Sequence, residues 1–366
     1  MESFDIVIVG GGIAGASLAA RLAGDVRVLL LESEDLCGRH ATGRSAAFWQ
    51  ASLGGASPER RLSLLSKPMF DSGWPDSPVP LLRTRGAVHL TGPCGEAFGA
   101  QDDLEGADRP LHLDRAALDR MIPGLREQWT GAFYEASCAD IDVAALHAAC
   151  LATARRSGAV IATGRELGAA THDGERWIVD EAAAAPVLVN AAGAWGDEVA
   201  RRAGVDPLGL TPLRRTVVQL RVRRDGLKHL PFVTDLHASF YFKGEGDHSL
   251  WVCPLDETPV EPCDAAPEEI DVAEAIDRFE KAVDWPVEAV ERKWAGLRTF
   301  APDRAMKFGF DPTAPGFFWC VGQGGMGIQT APAASLLCAR LILGEALGEE
   351  LAGLDPSDFA PRALRG

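Results

Sequence analysis

The fold is decided by the stretch that reads DIVIVGGGIAG, residues 5–15. Its first five residues form a short apolar, β-branched run, which is typical of a buried parallel strand. Glycines follow at once, and the pattern predicts a helix over 16–23 and a second strand over 26–31 that ends at Glu32. The N-terminal segment is therefore a βαβ unit of about 30 residues.

The glycines of this unit have the spacing GxGxxG, and Glu32 lies 22 positions after the first of them. In such a motif Gly10 permits the tight turn, Gly12 lets a pyrophosphate approach the backbone, and Gly15 allows the helix to pack closely on the strand. The helix N-terminus favours phosphate, and Glu32 would accept hydrogen bonds from a ribose. The unit predicts a dinucleotide site, although the glycines alone leave FAD and NAD open.

A second glycine-rich stretch reads GQGGMG at 322–327, but only 39 residues follow it. These residues predict one helix and no further strand, so a complete second nucleotide-binding unit is not expected there. The absence of a CxxxxC pair also argues against a disulfide reductase that uses NAD(P)H.

Buried strands of the first type recur at 186–190 and 316–321, with helices predicted over 143–156, 195–203 and 330–343. Residues 217–222, 239–243 and 249–253 instead resemble strands of an antiparallel sheet. We therefore expect an α/β protein whose Rossmann-type domain is discontinuous (1–80, 140–210 and 295–366). An inserted α+β substrate domain with a mostly antiparallel sheet would comprise 81–139 and 211–294.

Composition excludes several classes of function. The 366 residues carry 36 Lys and Arg against 52 Asp and Glu, a net charge of −16, which disfavours nucleic acid as a partner. No apolar run approaches 18 residues and the N-terminus has no basic leader, so we expect no membrane span and a cytoplasmic location. None of the eight cysteines forms a CxxC pair, which favours free thiols and no metal site.

Several segments in the same order resemble the D-amino-acid-oxidase-like family of FAD enzymes, which includes glycine oxidase, sarcosine oxidase and bacterial D-amino acid dehydrogenases. The matching stretches are HATGRSAA at 40–47, ADIDVAALH at 139–147, VLVNAAGAW at 187–195, PLGL at 207–210, SFYFK at 239–243, WAGLR at 294–298 and GFFW through QGGMGIQT within 316–330. The resemblance is strongest to the D-arginine dehydrogenase branch and covers nearly the whole chain.

This resemblance implies that FAD binds, without a covalent link, at Gly10, Gly12, Ala14, Gly15, Glu32, Thr42, Arg44, Ser45, Gly193, Gly325, Gly327, Gln329 and Thr330. It also implies a substrate site. In that site Arg215, Tyr241 and Arg298 hold a carboxylate, the Gly325 carbonyl accepts from the amino group, and Phe48 lies alongside. A planar guanidinium suits a carboxylate because it donates two parallel hydrogen bonds.

The implied reaction is oxidative deamination of a D-amino acid to the 2-oxo acid and ammonia, by hydride transfer from Cα to flavin N5. No side chain stands out as an obligatory base, and the electron acceptor (a quinone, an electron carrier or O₂) stays open. Oxidation of glycine, sarcosine or another secondary amine is one alternative, and a non-catalytic flavin-fold binding subunit is another.

Three positions depart from the D-arginine dehydrogenase pattern. Ala87 stands where that branch has a carboxylate for the distal guanidinium, Leu53 replaces a lid tyrosine, and Phe48 replaces a histidine. A buried cation needs a partner of opposite charge, so the sequence predicts a preference for neutral or apolar side chains.

Overall fold

The computed structural model describes residues 1–92, 104 and 108–361. Its helices are α1 Ile13–Leu22, α2 Pro58–Asp71, α3 Arg115–Met121, α4 Val143–Arg156, α5 Gly196–Arg202, α6 Glu269–Ala282 and α7 Gly327–Leu343. Its strands are β1 Glu2–Ser3, β2 Ile6–Val9, β3 Val28–Leu31, β4 Phe48–Trp49, β5 Leu82–Thr84, β6 Ala87–Thr91, β7 Leu111–Asp114, β8 Gly131–Glu135, β9 Ala139–Ile141, β10 Val160–Ala162, β11 Ala170–His172, β12 Trp177–Val179, β13 Ala183–Ala185, β14 Val187–Asn190, β15 Thr211–Val222, β16 Phe232–Asp235, β17 Tyr241–Gly244, β18 Ser249–Cys253, β19 Thr258–Pro259, β20 Val287–Phe300, β21 Lys307–Phe310 and β22 Phe317–Val321.

A six-stranded sheet carries the predicted βαβ unit, in the order β10-β3-β2-β14-β22-β21. Every neighbouring pair is parallel except β21 with β22. The four residues of β2 are all buried, and α1 packs against both α4 and α7 on one face of the sheet. Strand β2 is flanked by β3 on one side, and the adjacent strand β14 is flanked by β22 on the other. Where the strand order reverses in this way, a crevice opens at the carboxyl ends of the two central strands.

The second large sheet is mostly antiparallel, in the order β19-β15-β18-β17-β16-β6-β8-β7, with β20 also paired to β15. The exception is β16, which runs parallel to β6. Helix α6 packs on this sheet, and its Phe279 meets Phe242 of β17 edge to face with ring centres 5.3 Å apart. Two smaller sheets have the orders β1-β13-β12-β11 and β4-β9-β5.

Most predicted elements are present with shifted ends. Helix α4 begins at Val143 because the Asp142 side chain accepts the Ala145 N–H, as expected for an N-cap. Helices α1 and α7 each begin three residues earlier than predicted. Gly15 and Gly327, which precede the predicted starts, lie inside the first turns of these helices. Strand β15 begins at Thr211 because β20 pairs with its whole length.

Strand β20 was missed by the sequence analysis. Its sequence VEAVERKWAGLRTF has an exposed, charged first half, and only its second half alternates buried and partly buried residues. Seven of the predicted free cysteines are unpaired in the described chain, while Cys94 lies outside the described residues. No helix of the part that the structure describes is long and apolar enough to cross a bilayer.

Candidate active site

A single long cleft joins the two large sheets. It has a volume of about 1320 Å³ and extends from the carboxyl ends of β2, β3 and β14 to one face of the antiparallel sheet. Pockets for a drug-sized ligand usually measure about 300–1,000 Å³, so this cleft has room for a large cofactor with a small substrate.

The glycine loop forms one end of the cleft, where Gly10, Gly12 and Ala14 line the wall. Gly10 has φ +109°, and a Cβ there would lie 2.5 Å from the Ala191 carbonyl oxygen. Gly15 does not line the cleft. A Cβ on Gly15 would lie only 1.9 Å from the Gly10 carbonyl oxygen, so this glycine permits the helix to pack on the loop.

Two side chains from distant positions fix this loop. Glu32, at the end of β3, accepts the Gly11 N–H at 2.9 Å, and the Thr42 hydroxyl accepts the Ile13 N–H at 2.9 Å. Both side chains are buried and line the cleft. Helix α1 has no side-chain hydrogen bond from its own N-cap residue, Gly12. The Thr42 hydroxyl therefore satisfies one of the backbone N–H donors in the first turn of this helix.

Arg44 and Ser45 line the cleft from the loop between β3 and β4. The Arg44 guanidinium donates to the carbonyl oxygens of Ala265 (2.9 Å) and Ala295 (3.0 Å) and forms an ion pair with Asp264. The loop from the nucleotide-type sheet is thereby attached to the antiparallel sheet.

The N-terminus of α7 forms the middle of the cleft with Gly325, Gly327 and Gln329, and Gly193 faces it from the turn after β14. Gln329 is only 2% exposed, and its Oε1 accepts the Gln50 N–H at 3.2 Å. Its Nε2 has no hydrogen-bond partner in the described chain. Thr330 does not line the cleft, since it is fully buried and its hydroxyl donates to the Met326 carbonyl oxygen at 2.9 Å.

Two arginines reach the other end of the cleft from paired strands, Arg215 from β15 and Arg298 from β20. Arg215 is buried and donates to the Asp256 carbonyl oxygen at 2.8 Å and to Glu257 at 3.1 Å. Arg298 has no carboxylate or other acceptor paired with it among the described residues. Burial and the neighbouring Arg215 lower the pKa of its guanidinium from the ordinary value.

Tyr241 lies beside the two arginines and is 5% exposed. Burial holds the pKa of its phenol well above the ordinary value, although Arg298 and Arg215 oppose that shift. Its ring packs against Phe48 and Phe232, with ring centres 6.0 and 5.2 Å away. A protonated phenol and a guanidinium without an acceptor therefore share an aromatic compartment, which suits an anionic ligand.

The three departures from the D-arginine dehydrogenase pattern lie close to this compartment. Ala87 is fully buried in a small apolar cluster with Phe232 and Tyr241, against which Phe48 packs. Leu53 lines the cleft and is 42% exposed. Because position 87 is an alanine, it supplies no carboxylate to this aromatic compartment.

Other cleft residues were not found from the sequence, namely Gln50, His89, Glu257 and Arg304. Glu257 forms ion pairs with both Arg215 and Arg304. The Arg304 guanidinium also lies 3.9 Å from the Phe300 ring centre. No local motif marks these residues, since only strand pairing and loop packing bring them to the cleft.

The chain belongs to the DAO family of FAD-dependent oxidoreductases, whose family model matches residues 5–341. Among curated proteins, it is 30% identical over 177 residues to "FAD-dependent oxidoreductase domain-containing protein 1" of Bos taurus. That match covers 43% of this chain and 35% of the bovine protein, so the similarity spans about a third of the relative's length.

Solved structures share the whole fold. Glycine oxidase from Geobacillus kaustophilus superposes with a TM-score of 0.85 and 23% identity over 100% of both chains. L-proline dehydrogenase from P. horikoshii gives a TM-score of 0.79 and 18% identity over 98% of this chain and 97% of that one. At these identities the likeness shows the fold alone.

The residues of the cleft fit FAD. The buried Gln329 amide has an unsatisfied donor at the α7 N-terminus, where a flavin carbonyl would be accommodated. At the end of the cleft formed by the glycine loop, a Cβ on Gly12 would meet only Thr42 Oγ1, at 3.3 Å, so the backbone of Gly12 faces open space that a pyrophosphate could occupy. A cofactor with a dinucleotide and an extended ring system therefore matches the cleft from this end to its middle.

Proposed function

We propose that this protein catalyses the FAD-dependent oxidative deamination of a D-amino acid with a neutral or apolar side chain. The observation that carries the proposal is the Arg298 guanidinium, which lines the cleft beside Tyr241 and has no protein acceptor in the described chain. A buried cation is costly unless an opposite charge completes its environment, and a substrate carboxylate would do so.

In this proposal Arg298 and Tyr241 bind the carboxylate, and Arg215 supplies further positive charge. Arg215 still has donors available, because its contacts to Asp256 and Glu257 use two of its five N–H groups. The Gly325 carbonyl would accept a hydrogen bond from the amino group. Two fixed ends of the substrate would hold the Cα–H in one orientation, which is most of what the protein contributes.

FAD, when bound, supplies the two-electron acceptor for the Cα hydrogen. The cleft would hold it through the glycine loop, Glu32 and the N-terminus of α7. The substrate ammonium loses a proton before oxidation, the Cα–N bond becomes an imine, and water then releases the 2-oxo acid and ammonia. Because no side-chain base is needed, kcat/KM should rise with pH to a plateau as the neutral amine becomes populated.

The preference for neutral side chains is supported by the aromatic compartment around Phe48 and by Ala87, which gives no counter-charge for a cation. The D stereochemistry is supported only by the resemblance of the chain as a whole to the D-arginine dehydrogenase branch. A second candidate is oxidation of glycine or a secondary amine, which is favoured by the shared fold of glycine oxidase.

Anaerobic flavin bleaching separates these functions. Purified holoenzyme is mixed with D- and L-amino acids, glycine and sarcosine, and the visible flavin band is followed. Neutral D-amino acids should bleach it fastest, with D-arginine and D-lysine far slower. Fastest bleaching by glycine or sarcosine would favour the second candidate, and no bleaching by any of these compounds would refute amino acid oxidation.

A further inference from the structure

The antiparallel sheet places a row of polar side chains across the floor of the substrate end. Tyr241 of β17 is paired with Thr234 of β16, and Thr234 is paired with His89 of β6. Directly paired residues point to the same face of a sheet, and all three line the cleft. His89 thus lies on the same floor as Tyr241, two strands away.

His89 belongs to a buried polar cluster. Its Nε2 lies 3.0 Å from the Gln50 side-chain amide and 3.7 Å from Glu135 Oε2. Glu135 is completely buried, and its other oxygen accepts the Ala51 N–H at 2.6 Å. Within the described residues, its Oε2 has no hydrogen-bond partner. A buried acceptor without a hydrogen bond is costly, so its presence in a native cluster points to a functional or ligand-binding position.

The space between Tyr241 and this cluster has apolar walls. Phe48 and Phe232 lie with ring centres 4.4 Å apart, and Ala87 lies two residues before His89 on the same face of β6. The substrate end therefore has an anion-binding group at one side and a hydrogen-bonding imidazole and amide at the far side. Aromatic walls lie between them, above a Thr234 hydroxyl that already donates to the Phe240 carbonyl oxygen at 2.7 Å.

Strand spacing gives the length of the matching ligand. Two spacings separate the backbones of Tyr241 and His89, about 10 Å, and side chains that stand roughly perpendicular to the sheet keep a similar lateral separation. Hydrogen bonds of about 2.8 Å at each end leave about 4 Å between the two polar ends of the ligand. An amino acid whose side chain ends in a polar group one or two methylenes from Cα has this length.

We propose that His89, held by Gln50 and Glu135, is the specificity-determining residue that recognises a neutral amide at the end of the substrate side chain. The inference rests on the proposed function. A neutral group is favoured because the buried Glu135 carboxylate disfavours a second anion, and the Asp235 carboxylate that lines the cleft is already engaged by the Ser239 N–H and hydroxyl. Amides offer both the donor and the acceptor that an imidazole and a glutamine side chain can match.

The test uses two acids that cannot be oxidised at a Cα–N bond. Succinamate is asparagine without its amino group, and 4-methylpentanoate is the corresponding form of leucine, with nearly the same shape. Their dissociation constants for the holoenzyme are measured by titration calorimetry. We expect at least about 10-fold tighter binding of succinamate, because a site built for a polar group rejects the apolar isostere.

His89→Leu should remove or reverse the preference for succinamate over 4-methylpentanoate. His89→Asn should retain part of this preference, and it provides the test if the leucine variant does not fold. His112→Leu is the matched control, since His112 is exposed on β7 and does not line the cleft. Equal binding of the two acids to the wild type, or an unchanged ratio in His89→Leu, would overturn the inference and leave amino acid oxidation standing. Binding of neither acid, or binding that survives Arg298→Met, would refute the carboxylate site and with it both proposals.

Discussion

The Arg298 guanidinium lies close to Gly325, since a Cβ on Gly325 would be 3.0 Å from Arg298 Nη1. The backbone carbonyl proposed to receive the substrate amino group and the guanidinium proposed to receive its carboxylate are therefore neighbours in the cleft. The backbone of Gly325 is not in a left-handed conformation, so backbone geometry does not require glycine at this position. The nearby Arg298 guanidinium is the group that a larger residue would meet.

Gly325→Ala should displace the Arg298 side chain, because the new methyl group presses on the end of a flexible guanidinium. We expect KM for the best amino acid to rise about 10-fold while FAD remains bound, as lost positioning costs on the order of 1.4 kcal/mol. Steady-state kinetics measure the change. Gly246→Ala is the control, since a Cβ there meets no atom within 4 Å.

Arg298→Met should lower kcat/KM about 100-fold, because a hydrogen-bonded charge pair contributes about 1.5–3 kcal/mol. Arg298→Lys should recover only part of the loss, since an ammonium cannot donate two parallel bonds to a carboxylate. Rapid-mixing reduction of the flavin reports both values. Arg221→Met, on the exposed part of β15, is the control and should leave kcat/KM unchanged. An Arg298→Met enzyme with unchanged kcat/KM would contradict the carboxylate site.

The raised pKa of Tyr241 predicts a pH-independent contact. Because burial disfavours the phenolate, the protonated donor persists above the ordinary pKa of about 10, and binding of 4-methylpentanoate should stay constant from pH 7 to pH 10. Tyr241→Phe should weaken that binding about 10-fold at every pH. A loss of affinity between pH 9 and pH 10 that Tyr241→Phe abolishes would show that the phenol ionises there.

Asp140 predicts how stability depends on pH. It pairs with Arg83 and Arg85 at 2.7 Å and with Lys243 at 3.4 Å. Burial alone would raise the pKa of its carboxyl group, but the hydrogen bond from Arg85 and the charge of Lys243 outweigh burial, and the pKa is lowered. The carboxylate is thus stabilising above the ordinary pKa of about 3.9, and this contribution is lost as pH falls through the lowered value.

Asp140→Asn should therefore reduce the free energy of unfolding by about 3 kcal/mol at pH 7, since it leaves the buried Arg85 without a carboxylate, while Lys243 keeps Glu245. The difference from wild type should shrink below about pH 4. Denaturant unfolding at several pH values measures it. Asp71→Asn removes an exposed partner of Lys67 and should cost less than about 1 kcal/mol, and equal effects of the two substitutions would contradict the role of Asp140.

Gly15→Ala should destabilise the nucleotide-type sheet, because its Cβ would lie 1.9 Å from a backbone oxygen that cannot move aside cheaply. We expect a loss of about 1–3 kcal/mol, typical of overpacking, together with weaker FAD binding. Gly24→Ala, just after the same helix, has open space around it and should change stability by less than about 0.5 kcal/mol. Thermal unfolding of both variants with and without added FAD distinguishes the two positions.

Local patterns predicted the features that depend on neighbours in sequence. The run 5–15 gave the strand, the turn and the helix, and Asp142 marked the start of α4. The FAD-dependent class and the mixed fold were also predicted correctly. The start of β15 was displaced because its limits depend on β20, which pairs with it from elsewhere in the chain.

Features that depend on register could not be predicted. His89 reaches the cleft because β6 pairs in parallel with β16, about 145 positions later in the chain. Glu135 reaches the cluster because β8 pairs antiparallel with β6 opposite Ala87. A slip of one residue in either pairing would turn these side chains to the other face, and no single segment of sequence encodes that choice.

The strand order of the parallel sheet has a consequence for biosynthesis. Strand β14 lies between β2, from residues 6–9, and β22, from residues 317–321. Since both flanking strands and α7 are needed to form the cleft, an emerging chain cannot present a finished cofactor site until β22 and α7 have left the ribosome. We therefore expect nascent chains that end before β22 to be dependent on chaperones and colourless, and flavin to be acquired only once β22 and α7 have emerged.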